Sequence, residues 1–293
     1  MSASPPPNWP IPADANSITV NGYPYAYREA GSGVPIVLIH GSIGDYRVWT
    51  TQLAAFLKRN RVVTPSLRHY YPEPWTGAAR PGEEGNFSIE QHASDVAAFI
   101  KALNLGKVHL LGWSRGGAVV NAVAKRAPEV IRTLILEDST IDIAGMENPA
   151  MREAQAEFTR RFDTLKSSIR KGDLEGGART FYDTTGGLGT WDRLPQSRRQ
   201  SALDNLRTAL AESSRPLTTP AQVAAYDFPI QALRGERSPA RYELTYAEMR
   251  RAMLAAGRTP FAPTMVIPKA GHAMHLDNPA AFNAAVEGWL AAN

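Results

Sequence analysis

Residues 107–120, Lys-Val-His-Leu-Leu-Gly-Trp-Ser-Arg-Gly-Gly-Ala-Val-Val, change character at Ser114. Up to Gly112 the run is apolar and of strand length; from about Gly117 it is rich in Ala and Val with helical spacing. Between the two lies Gly112-Trp113-Ser114-Arg115-Gly116, a G-x-S-x-G pattern. A serine projecting above a sheet from a sharp strand-to-helix turn sits on strained backbone. Small residues two before and two after it avoid collision with the neighbouring strand and helix. The helix that follows aims N–H groups and a partial positive charge at the place where an oxyanion would form. Ser114 is therefore the candidate nucleophile and the Arg115 amide a candidate oxyanion donor; the bland alternative is a serine in a glycine-rich turn.

Working outward, apolar runs recur at Pro35–His40, Arg61–Leu67, Ile131–Glu137, Phe228–Arg234 and Ala262–Pro268, separated mostly by amphipathic stretches. Such alternation predicts a parallel sheet covered by helices on both faces. Two strands, Ser17–Val20 and Tyr23–Glu29, flank Asn21-Gly22, a hairpin signal. Ser88 opens a helix as its cap, with Gln91 placed to complete a capping box and Ala93, Val96, Ala97, Ile100 and Leu103 on one face. Residues 1–16, rich in proline and small polar residues, read as an extended arm. From about Thr140 to Tyr226 the strand rhythm gives way to helical segments rich in Arg, Glu and Ala, with a glycine cluster at 186–189 as a candidate hinge. The expected organisation is an arm (1–16), a core (17–139), a helical cap (140–226) and the rest of the core (227–293).

The order of strand, His40-Gly41 loop, Gly-x-Ser-x-Gly elbow and late Gly271-His272 resembles the α/β-hydrolase superfamily over nearly the whole chain after about residue 17. The resemblance implies an α/β fold: a doubly wound, mostly parallel eight-stranded sheet, helices on both faces and a helical cap insertion. It also implies that the loop after the first long strand supplies a second oxyanion donor, which by position is Ser42. His40 is read as a residue that orients this loop rather than as a catalytic group.

A serine hydroxyl needs a base, and six histidines are available. His109 lies inside the serine's own strand and His92 on a helix, which suits structural roles. His272 follows the last strand and matches the superfamily's base position; His275 is read as its neighbour. The third member must be a carboxylate between residues 114 and 272 in the superfamily's order. Here the chain departs from the common pattern, which predicts an aspartate where Gly235-Glu236-Arg237-Ser238 has Ser238. Some members carry the acid at the end of the strand after the nucleophile's helix, where this chain has Glu137-Asp138. Asp138 is the favoured acid, Glu236 the alternative, and Glu137 a further one.

A serine nucleophile points to acyl transfer to water: hydrolysis of a small or medium, largely apolar ester or lactone. Carbon–carbon bond hydrolysis of a β-diketone-like substrate by the same triad is an alternative, and a non-catalytic ligand-binding protein on this fold is another. His69 and Tyr70, in the aromatic- and proline-rich segment 66–75, are candidate substrate contacts, as are Trp113 and the cap residue Trp191. Arg68 and Arg115 can meet either an anionic substrate group or a neighbouring carboxylate. None of these chemistries requires a cofactor, and no metal site is expected. The absence of cysteine removes disulfides, thiolate zinc sites and a cysteine nucleophile. The 32 basic and 28 acidic residues are dispersed, so no nucleic-acid stripe is expected. With no apolar run of spanning length and no signal-peptide pattern, the expectation is a cytoplasmic protein that acts on a small molecule, with no nucleic-acid or membrane partner. The oligomeric state is left open.

Overall fold

A computed structural model describes residues 9–78, 85–146, 148–212 and 215–293. An antiparallel hairpin enters the sheet: β1 (Asn16–Val20) and β2 (Tyr23–Ala30) pair across Asn21-Gly22, both with positive φ, as a two-residue turn that follows strand twist requires. Next come β3 (Val34–Ile39), α1 (Thr50–Phe56), β4 (Asn60–Pro65), α2 (Ile89–Ala102), β5 (Val108–Trp113), α3 (Arg115–Arg126) and β6 (Ile131–Glu137). The sheet resumes with β9 (Ile230–Gly235) and β10 (Met265–Ile267), giving the order β1-β2-β4-β3-β5-β6-β9-β10, with every strand from β4 to β10 parallel. From β3 the chain moves outward to β4, then returns past β3 to β5. The loops after β3 and β5 therefore diverge at a topological switch point, where open α/β sheets form their crevice.

The central strands are buried on both faces and read as continuous apolar runs, as parallel strands covered by helices must. Ser88 caps α2 by accepting from Gln91 N at 3.0 Å, but only half of the expected capping box forms. The Gln91 amide instead donates to Asp95 one turn on, joining a buried ion pair between Arg68 and Asp95.

Between the two halves of the sheet lies a helical insertion: α4 (Pro149–Arg170), α5 (Leu174–Gly186), α6 (Thr190–Arg193) and α7 (Gln196–Asn205). A parallel two-stranded ribbon, β7 (Asp142–Ile143) with β8 (Leu217–Thr218), ties its two ends together. The short α8 (Pro220–Ala224) leads back to the sheet, and α9 (Arg241–Ala255), α10 (Met274–Asp277) and α11 (Pro279–Ala292) complete the fold. The insertion has its own core of Phe162, Leu165, Ile169, Trp191 and Leu206, to which Ile43 of the β3–α1 loop contributes. Buried Asp45 in that loop accepts from Ser201 and Asn205 of α7, so insertion and loop are fastened together.

Most of the N-terminal arm, residues 1–8, lies outside the described residues. Trp9, within the expected arm, is buried against Tyr23, with ring centroids 5.9 Å apart, so the chain is anchored earlier than its composition suggests. Among the described residues no helix is long and apolar enough to cross a membrane.

Candidate active site

The turn at Ser114 follows from its neighbours. Ser114 has φ 55° and ψ −119°, a conformation costing on the order of 1–3 kcal/mol in a non-glycine residue. Its N–H donates to Glu137 O at 3.0 Å, and its carbonyl accepts from the amides of Gly117 and Thr140 and from the Thr140 hydroxyl. A Cβ at Gly112 would come within 2.5 Å of Gly116 O, and one at Gly116 would strike the Ile39 and His40 carbonyls. These are the close approaches that the glycine spacing anticipates.

Three strand ends converge on this turn. His272, after β10, places Nε2 2.9 Å from Ser114 Oγ, and its Nδ1 lies 3.2 Å from Oδ2 of Asp138, which follows β6. Together these contacts require the tautomer with the proton on Nδ1: Ser114 donates to Nε2 and Nδ1–H donates to Asp138. Asp138 is fully buried, and burial pushes its carboxyl up to about 6 despite the opposing hydrogen bond from His272. Its φ of 38° is held by a bond from its N–H to Leu233 O. Ser238, at the position where the common pattern has its acid, donates to Asp138 Oδ2 at 2.5 Å and accepts from Gly235 N. The indole N–H of Trp113 donates to the His272 carbonyl, and the Tyr242 ring stacks on the imidazole at 5.2 Å and 10°.

The other two acid candidates lie elsewhere. Glu236 is exposed and accepts from Lys269 N, closing the turn before His272 without reaching its ring. Glu137 is buried and engages His275, Oε1 to Nδ1 at 2.8 Å. Desolvation raises the Glu137 carboxyl well above its usual range and pulls the His275 imidazole well below its own, so burial disfavours the charged form of each. His40 bridges Gly41 O and Leu67 N and is held neutral, lowered to about 4 chiefly by burial; it orients the loop that carries Ser42.

Ser42 and Arg115 both border the cavity in front of Ser114 and His272, a space of about 250 Å³ suited to a small ligand. Arg115 is the first residue of α3, so its N–H has no acceptor within the helix.

The four expected substrate contacts do not border this cavity. His69 is buried, hydrogen-bonded to Glu73 and stacked on Trp75 at 4.5 Å. Tyr70 packs edge-on against His40 beneath the site. Trp113 lies behind the imidazoles, against His275 at 4.6 Å, and Trp191 is fully buried inside the insertion. The physical reason is common to all four: each large aromatic gains more by complete burial than by bordering a wet cavity, and the polar atoms of His69, Trp113 and Trp191 find partners in Glu73, the His272 carbonyl and Glu175. Arg68 and Arg115 likewise meet neighbouring groups, Asp95 and, at 3.8 Å, Glu212.

The cavity is more polar than the apolar lining the sequence suggests. Phe158 and Phe181 contribute apolar surface, but four guanidinium groups, Arg115, Arg161, Arg215 and Arg241, stand against two carboxylates, Glu157 and Glu212. Sequence reading missed Thr140, Tyr242, Glu212 and Arg241, which carry no motif; only the place of Arg241 and Tyr242 at the start of the helix after β9 could have drawn attention to them.

A sequence model of the alpha/beta hydrolase family matches residues 36–285. The chain belongs to this family. Relatives include a Bacillus subtilis protein assigned provisionally as a 2-succinyl-6-hydroxy-2,4-cyclohexadiene-1-carboxylate synthase, 26% identical over 94% of this chain and 97% of that one. An sn-1-specific diacylglycerol lipase of Mus musculus is 27% identical over 87% of this chain and 80% of the lipase. A thermophilic esterase from Thermogutta terrifontis shares the fold, with a TM-score of 0.73 and 23% identity, over 95% of this chain and 98% of the esterase.

Proposed function

We propose that this alpha/beta hydrolase is a serine enzyme that transfers the acyl group of a small ester or lactone to water through an acyl-enzyme on Ser114. The observation that carries the reading is the hydrogen-bonded chain Ser114–His272–Asp138 opening onto a cavity. Ser114 Oγ attacks the carbonyl carbon while His272 Nε2 takes its proton. The Ser42 and Arg115 amides receive the oxyanion, and the intermediate collapses as His272 protonates the departing alkoxide. Water then repeats the sequence, with His272 again the base, and releases the acid. Asp138 stays ionised throughout, holding the imidazole in its tautomer and stabilising the imidazolium. Relatives named for ester cleavage and for a synthase reaction differ in chemistry, so kinship alone does not choose the reaction; a serine nucleophile beside a cavity supports acyl transfer.

Rapid mixing with p-nitrophenyl butyrate tests the proposal. A burst of nitrophenolate of one equivalent or less, with butyryl-Ser114 recovered by acid quench and mass spectrometry, is expected. Turnover equal in wild type and Ser114→Ala would overturn it.

A further inference from the structure

Arg241 stands apart from the other cations of the cavity. It is 8% exposed and borders the same space as Ser114 and His272. Each of the others has a partner: Arg161 pairs with Glu157, Arg215 with Asp142, and Arg115 with Glu212, His92 and the Phe87 carbonyl. Among the described residues Arg241 has neither a carboxylate partner nor a hydrogen bond; its guanidinium lies only over the rings of Phe158, at 5.1 Å, and Tyr242, at 5.0 Å. A guanidinium withdrawn from water loses hydration that two aromatic faces replace only in part, leaving its N–H fork free for an anion. Buried cations persist where something pairs with them, and here the unfilled partner position opens onto the cavity.

The same ring links this cation to the reaction centre. Tyr242 lies 5.0 Å from the guanidinium carbon and stacks 5.2 Å from the His272 ring, so Arg241 is no farther than about 10 Å from the imidazole. We propose that Arg241 receives a carboxylate of the substrate. The enzyme's preferred substrate is then an ester or lactone carrying a free carboxylate a few bonds from the scissile carbonyl, such as a half-ester of a short dicarboxylic acid. The forked N–H groups suit a carboxylate bound bidentately, and Phe158 and Tyr242 suit the short methylene chain between the two ends. This rests on the hydrolase reading for the cleavage step but not for the binding step, and the test keeps the two apart.

Wild type, Arg241→Gln and Arg241→Lys are assayed on monoethyl glutarate and on its neutral counterpart, diethyl glutarate. The ratio of kcat/KM for the half-ester to that for the diester is the readout, because a general loss of folding or catalysis cancels in it. The ratio is expected to fall roughly 10- to 100-fold in Arg241→Gln, as for a lost charge-assisted hydrogen bond, with partial recovery in Arg241→Lys. A ratio unmoved by both substitutions would overturn the proposal. In parallel, monoethyl glutarate is titrated calorimetrically into Ser114→Ala and into Ser114→Ala/Arg241→Gln. Binding that requires Arg241, even where the wild type cleaves neither ester, would uphold the carboxylate site and sink the hydrolase reading. Turnover of the diester with no Arg241-dependent binding would do the reverse.

Discussion

Two histidine–carboxylate pairs sit side by side, built from consecutive acids at the end of β6 and from histidines three residues apart after β10. His272 and Asp138 are joined at 3.2 Å, His275 and Glu137 at 2.8 Å. By distance the second pair is the better one, yet it has no nucleophile. His275 is enclosed by Trp49, Trp113 and Phe282, whereas the His272 side chain is 11% exposed and its Nε2 meets Ser114. The electrostatics differ accordingly. Burial disfavours the charged form of both members of the inner pair, while the acid of the outer pair, raised to about 6, is still charged at neutral pH. On the proposed mechanism, the dyad that serves as base is the one whose nitrogen faces a hydroxyl at a cavity and whose acid keeps its charge, while the other is packing.

Isosteric amides at the two acids break the comparison most sharply. Asp138→Asn should lower kcat by about 10³- to 10⁴-fold, because an amide no longer enforces the Nδ1–H tautomer. Glu137→Gln alters an acid that faces no nucleophile and whose charged form burial disfavours, and a few-fold change is expected. Steady-state kinetics on one ester checks both, and comparable losses would contradict the division of roles. The inner pair answers to stability instead: Glu137→Ala, which leaves a cavity and strands His275, should cost about 2–4 kcal/mol in urea unfolding.

The pH dependence sharpens the contrast. The Asp138 carboxyl rises from 3.8 to about 6 on folding, so the native state holds its proton more tightly than the unfolded chain. Charging Asp138 therefore removes stability as pH climbs between these values, by about 3 kcal/mol in all. Asp138→Asn should accordingly raise Tm over wild type by more near pH 8 than near pH 4.5. Meanwhile wild-type kcat/KM should fall as pH drops through about 6. An equal Tm difference at both pH values would refute the burial argument. The smallest effect is expected at Ser238, whose hydroxyl positions Asp138. Ser238→Ala should reduce kcat by roughly tenfold or less and raise the midpoint of the acid limb slightly, since a hydrogen bond that favours the charged carboxylate is lost.

These comparisons mark where sequence reading stops. The elbow, the sheet and the entry hairpin are local: alternating apolar runs and glycine spacing carry them, and they appear at Gly112–Gly116 and Asn21-Gly22 as expected. Which acid faces His272 is not local. The ends of β6 and β9 become neighbours only through the strand order, and Ser238 then occupies one side of the position and Asp138 the other. What the aromatic segment 66–75 is buried against escapes sequence reading for a related reason. Aromatic residues announce burial but not what they are buried against, and His69 found Glu73 and Trp75 rather than a cavity. Arg241 carries no motif; its meaning comes from the partner it lacks.

Activation of Ser114 as a nucleophile can be read with a fluorophosphonate probe followed by mass-spectrometric mapping of the labelled residue. Labelling of Ser114 alone is expected, abolished in Ser114→Ala and slowed in Asp138→Asn. Folded wild-type protein that takes no label, or takes it equally in Ser114→Ala, would contradict that activation.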